Sequence, residues 1–421
     1  MMPVELVQEF KCELAPTPEV NHPVERRWWV DGPTMRCQEV QLPGLRGQNT
    51  EHLRGSQMSE MTFDGRVAII TGAGGGLGRS HALALAERGA SVLVNDLGGA
   101  VDGSGGSKSA AQLVVDEIED KGGTAVANYE SVATPEGGEA IVQAAVDVFG
   151  KVDIVINNAG ILRDKAFHKM ENSMIDAVID VHLKGAFYVS RPAFILMREQ
   201  GFGRIVSTTS ASGIFGNFGQ ANYGAAKAGL LGLTRVLAHE GAIHGVKANA
   251  IAPIALTRMT EGILGDLSSQ VSPETVSPMV VYLASETCEE SGNVYSVAGG
   301  RIARIVTMET PGVVFEGLSP ESIAARIGDI NGRSVSEFVE PGSLDDETVL
   351  IATALAGGAT EGARGSEGSL SSGFTDFRDF PTLAGVPSIA AAAKFTFDLA
   401  DEILSSQREF ALEITKLFAL T

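Results

Sequence analysis

Cysteine is nearly absent from this chain of 421 residues: Cys12, Cys37 and Cys288 are the three it has. They form neither a paired disulfide framework nor a metal-ligand spacing, which suits a reducing compartment and leads us to assign no metal. Long hydrophobic runs are missing as well. With no stretch of about 18 consecutive apolar residues, no transmembrane span is expected. The first residues lack a continuous apolar core and carry Glu5, Glu9 and Glu13, which do not suit a targeting leader. The closing run, Phe418 to Thr421, is not a peroxisomal address of the Ser-Lys-Leu kind, so the expectation is a cytoplasmic protein. Positive charge is the other deficit: 32 Lys and Arg stand against 52 Asp and Glu, for a net charge of −20. Such a field argues against a nucleic-acid partner, and an anionic ligand would need a local basic patch.

Glycine, by contrast, is abundant, with 50 residues. The first cluster is the informative one. Val67 to Ile70 is a short apolar run bounded by turn residues, as expected of a buried parallel strand. TGAGGGLGR follows, with Gly72, Gly76, Leu77 and Gly78 opening a helical stretch. Glycines at such a turn permit unusual φ values and a close approach by a pyrophosphate, and the helix N-terminus adds free N–H groups. The pattern therefore predicts a dinucleotide site. A second strand ends at Asp96, 24 residues beyond Gly72. A carboxylate there can accept from the adenosine ribose and would repel a 2′-phosphate, which favours NAD over NADP; a turn-forming aspartate is the other reading.

Downstream, the run Arg204 to Leu230 holds Ser210 thirteen residues before Tyr223 and Lys227 four residues after it. Residues four apart on a helix share a face, so an ammonium can sit beside the phenol. A neighbouring cation favours the phenolate, and the expectation is a lowered Tyr223 pKa and a tyrosine that exchanges protons with an alcohol or carbonyl. Ser210, at the end of a short strand, can hydrogen-bond the same substrate oxygen.

The spacing of Ser210, Tyr223 and Lys227, together with the glycine turn and Asn157-Asn158-Ala159-Gly160, resembles the short-chain dehydrogenase/reductase family over Phe63 to about Gly300. The resemblance implies an α/β fold: a Rossmann-type doubly wound parallel sheet. It implies catalysis by Ser210, Tyr223 and Lys227, and a homodimer or homotetramer through helices that include the Tyr223 helix. By the same resemblance Ser131 and Val132 contact the adenine end of the cofactor, Asn158, Ala159 and Gly160 lie beside it, and Tyr223 and Lys227 also bind it. Thr257 falls near the position that touches the nicotinamide. The sequence departs from the common pattern at His182, where many members have an asparagine of a proton relay; relay or packing both remain open. Arg163, Lys165, His168 and Lys169 form a local basic group, read either as a seat for an anionic substrate handle or as a solvated loop.

Within the family, VNDLGG, ILRDKAFHKM, SASGIFGNFGQANYGAAKAGLLGL and IAPIALTRMT are similar to the (3R)-hydroxyacyl-CoA dehydrogenase units of peroxisomal multifunctional enzymes of type 2 and their bacterial relatives. That implies oxidation of a (3R)-3-hydroxyacyl-CoA with NAD. The alternatives are a dehydrogenase of steroids or other lipophilic alcohols, and a non-catalytic NAD-binding interaction protein. Around the domain, here residues 61–300, the expected organisation is an irregular extension over 1–60 and an extension packed on the domain over 301–345. A Gly/Ala/Ser-rich linker over 346–390 and an amphipathic helix over 391–421 complete it. Leu399, Ile403, Phe410, Ile414 and Leu417 give that tail an apolar stripe to be buried on the same subunit, against another subunit or on a partner, the first two being the default expectation. Glu261 to Ser269 is expected to begin a lid.

Overall fold

A computed structural model describes residues 60–105, 109–260, 268–332 and 334–357, together with strands β1 (Val24–Asp31) and β2 (Thr34–Gln41). The two strands pair antiparallel, Asp31 opposite Thr34. No regular element is expected there from the sequence, because residues 1–60 carry scattered prolines and no sustained periodicity.

The main sheet has eight strands: β3 (Val67–Thr71), β4 (Ser91–Asn95), β5 (Thr124–Asn128), β6 (Ile154–Asn157), β7 (Gly203–Thr208), β8 (Val246–Pro253), β9 (Val294–Ala298) and β10 (Arg301–Ile305). Their order is β10-β9-β8-β7-β6-β3-β4-β5, and every pair is parallel except β9 with β10. β3 is apolar at every position before Thr71 because it is covered on both faces. Ala68 and Ile70 pack with α1 (Gly76–Ala86), α2 (Ser109–Asp120) and α8 (Ser277–Ala284). Val67 and Ile69 face α3 (Pro135–Phe149), α5 (Gly185–Gln200) and α7 (Ala221–Gly241). This is the doubly wound Rossmann-type architecture. The strand order reverses between β3 and β6, and such a sheet opens a crevice there, at the carboxyl ends of the strands.

The sheet runs past the boundary expected at residue 300. Gly299 and Gly300 both have positive φ, 53° and 85°, and form a two-residue turn that sends β10 back along β9. The first compact unit accordingly ends at Val306.

The second unit begins at Thr307. In it α9 (Pro320–Ile330) starts at Ser319, whose side chain accepts from the Ser322 amide in a capping box, as the Ser319-Pro320 pair predicts. Helix α10 (Leu344–Gly357) occupies the start of the span read as a linker from 346. Asp345, Asp346 and Glu347 favour its first turn, and Ser343 accepts from the Asp346 amide. The rest of that span and the amphipathic tail over 391–421 lie outside the described residues.

Candidate active site

The crevice between β3 and β6 contains a cavity of about 480 Å³. Gly72, Gly76, Leu77, Asp96, Ser131, Val132, Asn158, Ala159 and Gly160 all line it. Gly78 does not; it lies beneath the turn, where an added Cβ would fall 2.3 Å from the Gly72 carbonyl oxygen. Gly72 itself has φ of 63°, and its missing Cβ would meet Ala159 Cα at 2.7 Å. The Asn158 carboxamide ties the two loops together by donating to the carbonyls of Thr71 and Gly72, both at 3.0 Å.

Helix α1 carries no capping side chain, so the amides of its first turn have no helical acceptor and are free for an anionic group. Asp96 completes the cradle. One of its oxygens accepts from Gly74 N at 2.8 Å and the other from Gly98 N at 2.6 Å, which fixes the carboxylate at the cavity wall. A dinucleotide fits these groups: phosphates at the α1 amides and a ribose at Asp96.

Gly74 and the strap after Asp96 escaped the sequence reading. An added Cβ on Gly74 would lie 2.8 Å from Asp96 Cγ, so this glycine admits the carboxylate. The strap, residues 98–105, folds back over the segment after β6. Leu162 N donates to Val101 O and Arg163 Nε to Asp102 O, each at 2.9 Å. The excess of glycine after Asp96 was the only signal of it.

Ser210, Tyr223 and Lys227 come together beside this cavity, although none of them lines it. Ser210 ends the β7 loop as N-cap of α6 (Ala211–Phe215), and its oxygen accepts from Ser212 N at 3.2 Å. Its hydrogen therefore remains for a second oxygen. Tyr223 and Lys227 lie one turn apart on α7, an Ala-rich helix without proline. The helix start is anchored by Asn222, which donates to the carbonyls of Arg163 and Met174, both at 3.0 Å. Lys227 is buried, donates to Thr208 O at 2.5 Å, and has its Nζ 5.5 Å from the Tyr223 ring centre.

The electrostatics differ from the expectation. Burial raises the Tyr223 pKa above its usual value; Ser210 opposes that by hydrogen bonding, and Asp164 adds to it. Burial also lowers Lys227 to about 7. Both neutral forms are favoured because charging either group alone means desolvating a lone charge. Sequence spacing shows that the two groups meet, but not how dry the meeting place is.

His182 sits in a π-helical turn, Asp180–Lys184, between α4 (Asn172–Ile179) and α5. Its Nε2 lies 2.7 Å from Ile161 O, and its ring meets Tyr223 edge-on at 5.1 Å. Burial first, then the Lys227 charge, keeps its pKa well below the usual range, so it is neutral. Gly160 makes room: a Cβ there would fall 2.3 Å from His182 Cε1. Gly160→Ala is expected to cost about 1–3 kcal/mol in urea unfolding. Adding His182→Ala should return part of that loss; strictly additive losses would contradict the contact.

Thr257 lines the cavity near the glycine turn, 3.4 Å from where a Gly76 Cβ would be. The lid segment lies outside the described residues over 261–267. Lys165, His168 and Lys169 are exposed on the loop after β6, while Arg163 lines the cavity.

The family described as short chain dehydrogenase matches residues 66–266. The chain is 52% identical over 278 residues to a short-chain type dehydrogenase/reductase of Mycobacterium tuberculosis, covering 65% of this chain and 97% of that one. It is 51% identical over 270 residues to the peroxisomal multifunctional enzyme type 2 of Mus musculus, covering 63% of this chain but only 36% of the mouse protein. A hydroxyacyl-CoA dehydrogenase of Mycobacterium tuberculosis is 39% identical, with 61% of this chain and 84% of that one covered.

Proposed function

Since this chain belongs to the short-chain dehydrogenase family, we propose that it oxidises a (3R)-3-hydroxyacyl-CoA to the 3-oxoacyl-CoA with NAD. The observation that carries the reaction is the meeting of Ser210 and Tyr223 over a buried Lys227, beside a glycine-lined cavity. The name of the hydroxyacyl-CoA dehydrogenase relative supports the substrate class.

The nicotinamide cofactor supplies the hydride acceptor when bound. The remaining work falls to the chain. Ser210, whose oxygen already accepts from the Ser212 amide, donates its hydrogen to the substrate C3 oxygen. Tyr223, as phenolate, takes the proton from that oxygen. Lys227 takes up positive charge as the phenol loses its proton, so that each charge stabilises the other in a dry site. Neutral His182 adds no competing charge and holds the Ile161 backbone beside the phenol.

NAD rather than NADP is supported by the Asp96 carboxylate at the cavity wall. Asp96→Ala is expected to raise the KM for NAD about tenfold and to shift preference toward NADP by a similar factor. Unchanged discrimination would contradict that assignment. Among the described residues no helix is long and apolar enough to cross a membrane. Our reading includes a cytoplasmic setting, in keeping with the free thiol of Cys288, and a homodimer or homotetramer. Exposed Phe187 and Ile195 on α5 and Val236 on α7 offer apolar surface for association.

The reaction is tested by NADH formation from a panel of hydroxyacyl-CoA thioesters and secondary alcohols of steroids. Turnover confined to thioesters is the expected result, and turnover of steroids alone would overturn the substrate assignment.

A further inference from the structure

The loop after β6 leads out of the cavity and carries an unusual surface for a chain of net charge −20. Phe167, His168 and Lys169 form a single 3₁₀ turn, and Phe167 is 76% exposed. Lys165 is exposed just before it, and among the described residues neither lysine has an ion-pair partner. Two acids fall in this loop: Asp164 accepts from Gln220 Nε2 at 2.7 Å, and Glu171 is exposed at the N-cap of α4.

The turn is held in a fixed place. Arg163 is tied to the strap through Asp102 O, and its own carbonyl accepts from Asn222, the residue before Tyr223. Lys165 N donates to Gly219 O at 2.8 Å, beside Phe218, which is 90% exposed. A bare aromatic face flanked by unpaired cations is the chemistry that receives a nucleotide: the ring stacks on a base, and the ammonium groups meet phosphates.

Resting on the acyl-CoA reading above, we propose that this turn seats the nucleotide end of the thioester. Phe167 stacks on the adenine, and Lys165 and Lys169 bind the phosphates, with His168 between them. The thioester arm then runs inward along the loop toward Tyr223. The pinning of Arg163 keeps the two ends of the substrate in register.

The test compares the (3R)-3-hydroxybutyryl thioesters of CoA, of dephospho-CoA and of pantetheine, with NAD and the full chain. Wild type is expected to lose about tenfold in kcat/KM at each removal of a handle group. A Lys165→Ala/Lys169→Ala variant should lose the preference for CoA over dephospho-CoA and keep its pantetheine rate. Phe167→Ala should narrow the gap between dephospho-CoA and pantetheine. Calorimetry with free CoA gives a readout independent of turnover, and the lysine variant should bind it about tenfold more weakly. Equal rates with all three thioesters in wild type, or unchanged CoA affinity in the variants, would overturn the proposal while leaving the dehydrogenase reading intact. No turnover with any thioester would overturn both.

Discussion

Replacing Tyr223 by Phe is expected to lower kcat/KM at least about a thousandfold while leaving NAD affinity within about twofold. The substitution removes a single oxygen from a half-buried ring and leaves the His182 edge contact in place. The groups proposed to carry most of the dinucleotide binding, the α1 amides and Asp96, are left in place. On the proposed mechanism, what disappears is the phenol that exchanges a proton with the substrate oxygen. Steady-state kinetics and a fluorescence titration with NAD separate the two effects. A variant that kept more than a tenth of the activity would remove Tyr223 from the chemistry, and one that lost NAD binding would point to a structural fault.

Lys227→Met should lower kcat about a hundredfold or more, because the phenolate then forms without its neighbouring cation. It should also change stability with pH in a specified direction. The folded chain holds Lys227 at about 7 against the ordinary 10.5. Between those values the unfolded chain binds a proton that the folded chain does not, so this group makes wild type more stable as pH rises. Below pH 7 the full cost of the buried charge is present and constant. Methionine removes the titration altogether. The unfolding free energy of wild type minus variant should therefore move toward wild type on the order of 1 kcal/mol per pH unit between pH 7 and 10. Urea unfolding at several pH values measures this, and a difference that stays flat would mean that Lys227 is not held neutral.

These two predictions also mark how far the sequence could be read. The glycine turn, the strand ending at Asp96 and the Tyr223–Lys227 helix were legible because each depends on local chemistry. A turn with positive φ needs glycine at Gly72, and a helical repeat brings residues four apart together. The parallel sheet covered on both faces follows from the alternation of buried strands and helices, which is equally local in origin.

The direction of the Tyr223 shift was not legible, since burial is set by everything packed around the site. His182 was visible as a departure from the common pattern. Its partner Gly160 was visible too, but their contact was not, because it depends on a π-helical turn that fixes where the ring falls. The strap over the cavity announced itself only as excess glycine. Its anchor points, Val101 and Asp102, are backbone carbonyls, and any residue type supplies those. The hairpin into β10 was written in Gly299 and Gly300, yet the exposed residues of that edge strand gave no apolar run to follow.

The central claim is a stereospecific oxidation at C3 of a hydroxyacyl thioester. It is tested most directly by following NADH formation by this chain with (3R)- and (3S)-3-hydroxyacyl-CoA of several chain lengths, each supplied separately with NAD. Turnover confined to the 3R series is the predicted result. Turnover of the 3S series alone, or of no thioester while NAD still binds, would contradict it.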